Sequence, residues 1–220
     1  MTDNNVKAIV FDVYGTLFDV HSVIEECERQ FPEKGETISQ IWRKKQLEYS
    51  FLRGLMGNYR PFWEITKDAL RYACMAEDVE LTPDKEKKLL ESYKKLDPYK
   101  EVEGVLSQLE GYQLAVFSNG SEEMLHPLIE HHNYQGYFDQ LISVNGIKQF
   151  KPHPSSYLYA LEQLGVERDE VLFLSSNTWD IAGAKTFGFQ VAWVNRSGGI
   201  MDELGVTPDY VVSDLTELFE

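Results

Sequence analysis

Short runs of consecutive apolar residues recur along the chain, with longer amphipathic stretches between them. Residues 7–12, 113–118, 171–175 and 190–194 are apolar almost throughout, and residues 141–144 and 210–212 are weaker copies of the same pattern. Runs without polar alternation are what parallel strands covered on both faces require. Residues 121–132, 155–164 and 179–187 carry helical spacing and separate most of these runs. Strand and helix alternating in this way predict an α/β layer fold with a mostly parallel sheet.

Residues 21–98 break the alternation. No strand pattern occurs there, and residues 41–55, 61–76 and 83–96 read as helices, with Pro61 and Pro83 near first-turn positions. An insert of roughly 75 residues is too long for a loop. The pattern therefore predicts an all-helical subdomain at 21–98, set into a core made of 1–20 and 99–220.

Composition narrows the class. The chain has 220 residues, 43% of them hydrophobic and 13% aromatic, which is enough to bury a core and excludes a disordered chain. Lys and Arg total 21 and Asp and Glu 36, a formal charge of −15. That surface repels nucleic acid and anionic membranes. Cys27 and Cys74 lie in no zinc-type cluster and read as free thiols. The N-terminus shows no basic segment followed by an apolar one, and no apolar run reaches membrane-spanning length. A cytoplasmic protein without metal or cofactor is the expectation.

In open α/β sheets, ligands bind beyond the carboxyl ends of the strands. The first apolar run ends in Asp12 and the second in Ser118-Asn119-Gly120. A later loop carries Lys151-Pro152, and another run ends in Ser175-Ser176-Asn177 with Asp180 opening the next helix. Taken singly, Ser118 and Ser175 are ordinary caps. Together, two carboxylates, a hydroxyl and a lysine converge on one edge.

These four sites, in this order, resemble the four motifs of the haloacid dehalogenase (HAD) superfamily. Residues 11–19 are similar to its first motif, Ser118-Asn119-Gly120 to its second, Lys151-Pro152 to its third and residues 175–180 to its fourth. The resemblance implies a Rossmann-like core and makes the helical insert a cap. Phosphatases of the superfamily usually carry Asp two residues after the nucleophile, where this chain has Tyr14. They also carry an acidic residue where it has Ser176. A phenol with an ordinary pKa near 10 is a poor general acid. Both departures point to the L-2-haloacid dehalogenase subfamily, which residues 12–22, 42–49 and 176–180 resemble locally. A magnesium-dependent small-molecule phosphatase is the alternative, and a non-catalytic binder of small carboxylates a third reading.

The resemblance implies hydrolytic dehalogenation of short L-2-haloalkanoates to D-2-hydroxyalkanoates, through an ester on Asp12 and without metal. Its partners are then a small 2-haloacid and halide, in a homodimer. Asp12 becomes the nucleophile, and Lys151 the cation that keeps it ionised. Asp180 orients Lys151 and helps activate water. Asn177 contacts that water or the nucleophile, with Ser175 behind it. Arg43, with Asn119, holds the departing halide. Ser118 and backbone N–H groups near Val13, Tyr14 and Asn119 bind the substrate carboxylate. Leu47, Tyr14, Phe62 and Trp179 form an apolar wall. Thr16 and Tyr157 are supporting residues, Tyr157 for Lys151. Lys44 stands where the subfamily often has a neutral amide, so it either faces solvent or charges the mouth of the site.

Overall fold

Ala8–Phe11 (β1), Gln113–Ser118 (β2), Gln140–Ser143 (β3), Val171–Ser175 (β4), Gln190–Val194 (β5) and Tyr210–Val212 (β6) pair into one sheet. Its order is β3-β2-β1-β4-β5-β6, and every pairing is parallel. The computed structural model describes residues 5–219. All four residues of β1 and all five of β4 are buried, which explains why these strands read as unbroken apolar runs.

The register places the functional edge. Phe11 of β1 lies between Val116 of β2 and Leu174 of β4. Asp12 therefore leaves the sheet beside the ends of β2 and β4, where Ser118 and Ser175 sit. The strand order reverses on either side of β1, and such a switch point opens a crevice beyond the strand ends.

The segment between β1 and β2 is helical, as its pattern predicts. It holds Ile24–Gln30 (α1), Gly35–Leu55 (α2), Phe62–Ala76 (α3) and Pro83–Ser92 (α4), followed by the short Val102–Leu106 (α5). Pro61 is the residue capping α3, and Pro83 occupies the first turn of α4, where a missing N–H costs nothing. The indole N–H of Trp42 donates to the Thr66 carbonyl at 2.8 Å and pins α2 to α3. The sequence pattern missed α1, α5 and the first turns of α2, and carried the third helix four residues too far. In α1 only Cys27 is buried, so no apolar stripe marks it.

Glu122–His131 (α6), Pro154–Leu164 (α7), Thr178–Phe187 (α8) and Thr216–Phe219 (α9) complete the helices. Gly165 and Gly188 end α7 and α8 in left-handed backbone (φ 69° and 109°), a conformation that favours glycine. Cys27 and Cys74 are free and buried, and burial pushes both thiols up, to about 12 and about 11. Among the described residues no helix is long and apolar enough to cross a membrane.

Candidate active site

The turn after β1 carries Asp12, whose side chain is almost wholly buried. Its two oxygens are held differently. Oδ1 accepts one hydrogen bond, from Lys151 Nζ at 3.0 Å. Oδ2 accepts three, from Asn177 Nδ2 (2.8 Å), Thr16 Oγ1 (3.2 Å) and Ser175 Oγ (3.3 Å).

Lys151 is fully buried, and its ammonium spends all three protons. They go to Asp12 Oδ1, to Asp180 Oδ2 at 2.5 Å and to the Phe117 carbonyl at 3.0 Å. Burial disfavours this charge, but Asp12 and Asp180 outweigh burial and raise the lysine above its ordinary value. Asp180 is also fully buried. Burial pushes it up to about 6, against the pull of Lys151 and with a further push from Asp12. Its other oxygen accepts from the Tyr157 hydroxyl at 2.7 Å. Tyr157 thus reaches Lys151 through Asp180.

Arg43 projects from α2 over the turn after β1. It donates to the Tyr14 carbonyl at 3.4 Å and to Gln46 Oε1 at 2.8 Å. Asn177 Nδ2 also reaches the Tyr14 carbonyl, at 3.3 Å. Gln46 is fully buried and donates in turn to Thr66 Oγ1 at 2.8 Å, so α3 fixes the arginine through a relay. Gln46 was missed from sequence. Its signal was its place three residues after Arg43, which puts both on one helix face. Lys44 is exposed.

Asp12, Tyr14, Arg43, Leu47, Phe62, Ser118, Asn119, Lys151, Asn177 and Trp179 line one small, nearly closed cavity. Every side chain assigned to the substrate from sequence lies at its wall, whereas Val13 does not. Asn119 is less free than expected. Its Oδ1 accepts from the Lys151 N–H at 2.9 Å, so its side chain already holds the lysine loop. Ser118 Oγ accepts from the Gly120 N–H at 3.0 Å, which leaves its own proton available. Among the described residues, the N–H groups of Tyr14 and Asn119 have no acceptor. Among the described residues the Tyr14 hydroxyl is buried without a partner, and burial raises it above the ordinary phenol value, which makes it a weaker acid still. A larger apolar groove, lined by Phe51, Leu55, Phe150 and Pro152 among others, shares Lys151 and Trp179 with this cavity.

A divalent cation fits this donor set poorly. Among the described residues, the Lys151 ammonium bridges two carboxylates at the centre, and Ser176 Oγ is buried and unpartnered where a phosphatase needs an acid. Among the described residues no group of three or more His, Cys, Asp or Glu is placed to hold a metal ion.

The family model for haloacid dehalogenase-like hydrolases matches residues 6–188. The chain belongs to that family. Its relatives place it among the L-2-haloacid dehalogenases in particular. It is 43% identical to the (S)-2-haloacid dehalogenase of Pseudomonas sp. strain YL over 220 residues, covering 98% of this chain and 95% of that one. It is 48% identical to haloacetate dehalogenase H-2 of Moraxella sp. strain B over 209 residues, 94% of this chain and 93% of that one. The L-2-haloacid dehalogenase of Xanthobacter autotrophicus, solved with chloropropionic acid covalently bound, superposes with a TM-score of 0.89. The identity there is 41%, over 97% of this chain and 96% of that one.

Proposed function

We propose that this dehalogenase converts short L-2-haloalkanoates to D-2-hydroxyalkanoates and halide, through an ester on Asp12 and without a metal ion. The observation that carries the reading is the asymmetry of Asp12, with one oxygen held by three donors and the other by the Lys151 ammonium alone.

Oδ1, the less encumbered oxygen, attacks C2 from the side opposite the halogen. The C2–Oδ1 bond forms as the carbon–halogen bond breaks, which inverts C2. The halide leaves with the electron pair and needs no proton, so Tyr14 suffices where a phosphatase needs an acid. Arg43 receives the halide charge. The Ser118 hydroxyl and the N–H groups of Tyr14 and Asn119 hold the substrate carboxylate, and Leu47, Phe62 and Trp179 enclose its alkyl group.

Water then adds to the carboxyl carbon of Asp12 and gives its proton to Asp180. The charge develops on Oδ2, where Asn177, Ser175 and Thr16 already point their donors. A base near 6 is matched to this task at neutral pH. The acyl–oxygen bond breaks, the departing alkoxide takes that proton back from Asp180, and the Asp12 carboxyl loses the second water proton to solvent, which restores the carboxylate. C2 is untouched in this step, so the inversion persists.

In this reading residues 21–98 are the cap and residues 1–20 and 99–220 the core. Arg43, Leu47 and Phe62 come from the former and Asp12 from the latter, and they line one cavity. The protein acts as a homodimer in the cytoplasm and binds no nucleic acid. Exposed Leu55 and Met56 at the end of α2 supply an apolar face for a second copy, buried free thiols suit a reducing compartment, and the charge of −15 opposes nucleic acid.

The test is halide release from L- and D-2-chloropropionate separately, with EDTA and with magnesium. A p-nitrophenyl phosphate assay runs beside it. The expected result is chloride from the L-isomer alone, unaffected by EDTA. Magnesium-dependent phosphate release without chloride would overturn the reading.

A further inference from the structure

Arg196 follows β5 and takes no part in the chemistry above, yet it is one of the most fully engaged side chains near the site. Its Nε and one terminal nitrogen donate to the Thr16 carbonyl at 3.2 and 2.7 Å. The same nitrogen pairs with Glu101 at 2.7 Å, with both side chains largely buried. The guanidinium carbon lies 3.6 Å from the centre of the Tyr99 ring. Glu101 and Tyr99 belong to the strand of chain that returns from the helical insert to the sheet. Thr16 belongs to the strand that leaves the sheet for the insert.

These two crossings are zipped together by backbone. Phe18 and Pro98 form an antiparallel bridge, the Asp19 N–H donates to the Asp97 carbonyl at 2.8 Å, and the Tyr99 N–H donates to the Leu17 carbonyl at 3.0 Å. Thr16 has a second duty. Its hydroxyl donates to Asp12 Oδ2 at 3.2 Å and accepts from the Ser176 N–H at 2.9 Å. The guanidinium therefore grips a residue whose other end touches the nucleophile.

We infer that Arg196 is a positioning residue that locks Thr16, and through it Asp12 Oδ2, to the returning crossing at Tyr99 and Glu101. The inference rests on the proposed role of Asp12. A planar fork is needed because one group must meet a carbonyl, a carboxylate and an aromatic face at once. The step most exposed to its loss is ester hydrolysis, in which Oδ2 carries the developing charge and Thr16 is one of three donors.

The test compares Arg196→Ala, Arg196→Lys and Glu101→Gln with the parent enzyme on L-2-chloropropionate. Three readouts are followed: steady-state kinetics, intact mass after rapid quench, and amide exchange at Asp19 and Tyr99. For Arg196→Ala, kcat falls ~10²-fold, as small misplacements of reacting groups do. KM falls with it, because slowed ester hydrolysis leaves kcat/KM, which reports alkylation, within about threefold. The ester adduct accumulates, and exchange at Asp19 and Tyr99 speeds up. Arg196→Lys recovers part of kcat, and Glu101→Gln loses less than Arg196→Ala. Parent-like kcat in Arg196→Ala overturns the inference. So does a fall that only tracks lost folded protein, with no adduct and unchanged exchange in the two conservative variants. If the parent enzyme itself releases no halide, the dehalogenase reading fails, and exchange at Asp19 and Tyr99 still judges the clamp.

Discussion

Lys151 decides the character of the site at the scale of single residues. It is a buried cation between two buried carboxylates, and a buried charge left without its partner is costly. Lys151→Met abolishes halide release and lowers unfolding free energy by ~3–5 kcal/mol at pH 8, read by denaturant titration. The deficit shrinks towards pH 5, because the orphaned Asp180 then takes a proton and sheds its charge. In the intact enzyme the pH dependence has the opposite use. Asp180, pushed up to about 6 by burial, is protonated below that value and can neither accept a proton from water nor pair with Lys151. Activity therefore rises with pH through about 6. It then holds a plateau into the alkaline range, because the lysine is raised above its ordinary value. A kcat profile flat between pH 5 and 7 would contradict this assignment. Arg43 is the third decisive residue. Arg43→Lys keeps the charge but loses the fork that Gln46 and the Tyr14 carbonyl hold, and kcat drops ~10²-fold as for other lost charge-stabilising donors.

Elements matter here for how they aim side chains. Strand ends were readable in sequence because β1 and β4 are wholly buried and so wholly apolar, which made the polar residue closing each run conspicuous. Asp12, Ser118 and Ser175 were found that way. The insert was harder. Arg43 was identified only through the family-like string around it, and Gln46 not at all, because an amide on a helix surface looks like any solvated residue. Arg196 lies two residues beyond the end of β5 and was passed over, although the same strand-end logic applies to it. The turn after β2 makes a prediction at this scale. A Cβ at Gly120 would lie 2.8 Å from Tyr14 Cε2 and 3.2 Å from Ser118 Oγ. Gly120→Ala therefore drives the Tyr14 ring towards the cavity. It costs ~1–3 kcal/mol of stability, as overpacking does, and raises KM for 2-chloropropionate. Unchanged KM and thermal midpoint would show that the turn has slack this geometry denies.

For the molecule as a whole, the parallel sheet and the helical insert together explain how one site can bring the proposed nucleophile and the proposed anion receiver together. The sheet brings Asp12, Lys151 and Asp180 to one edge, and the insert sets Arg43, Leu47 and Phe62 against them around one small cavity. The overall charge of −15 makes the few local donors the means of drawing in an anion. The class of fold and the chemical centre were legible because apolar runs and their terminal residues are local signals. The relay through Gln46 and the clamp at Arg196 were not, because each depends on residues far apart in sequence meeting in space. The central claim is that water attacks the carboxyl carbon of Asp12 rather than the substrate carbon. A single turnover in ¹⁸O-water, with enzyme in excess over L-2-chloropropionate, tests it directly. The mechanism predicts label in the peptide carrying Asp12 and none in the D-lactate released. Label in the lactate hydroxyl and none in Asp12 would contradict it.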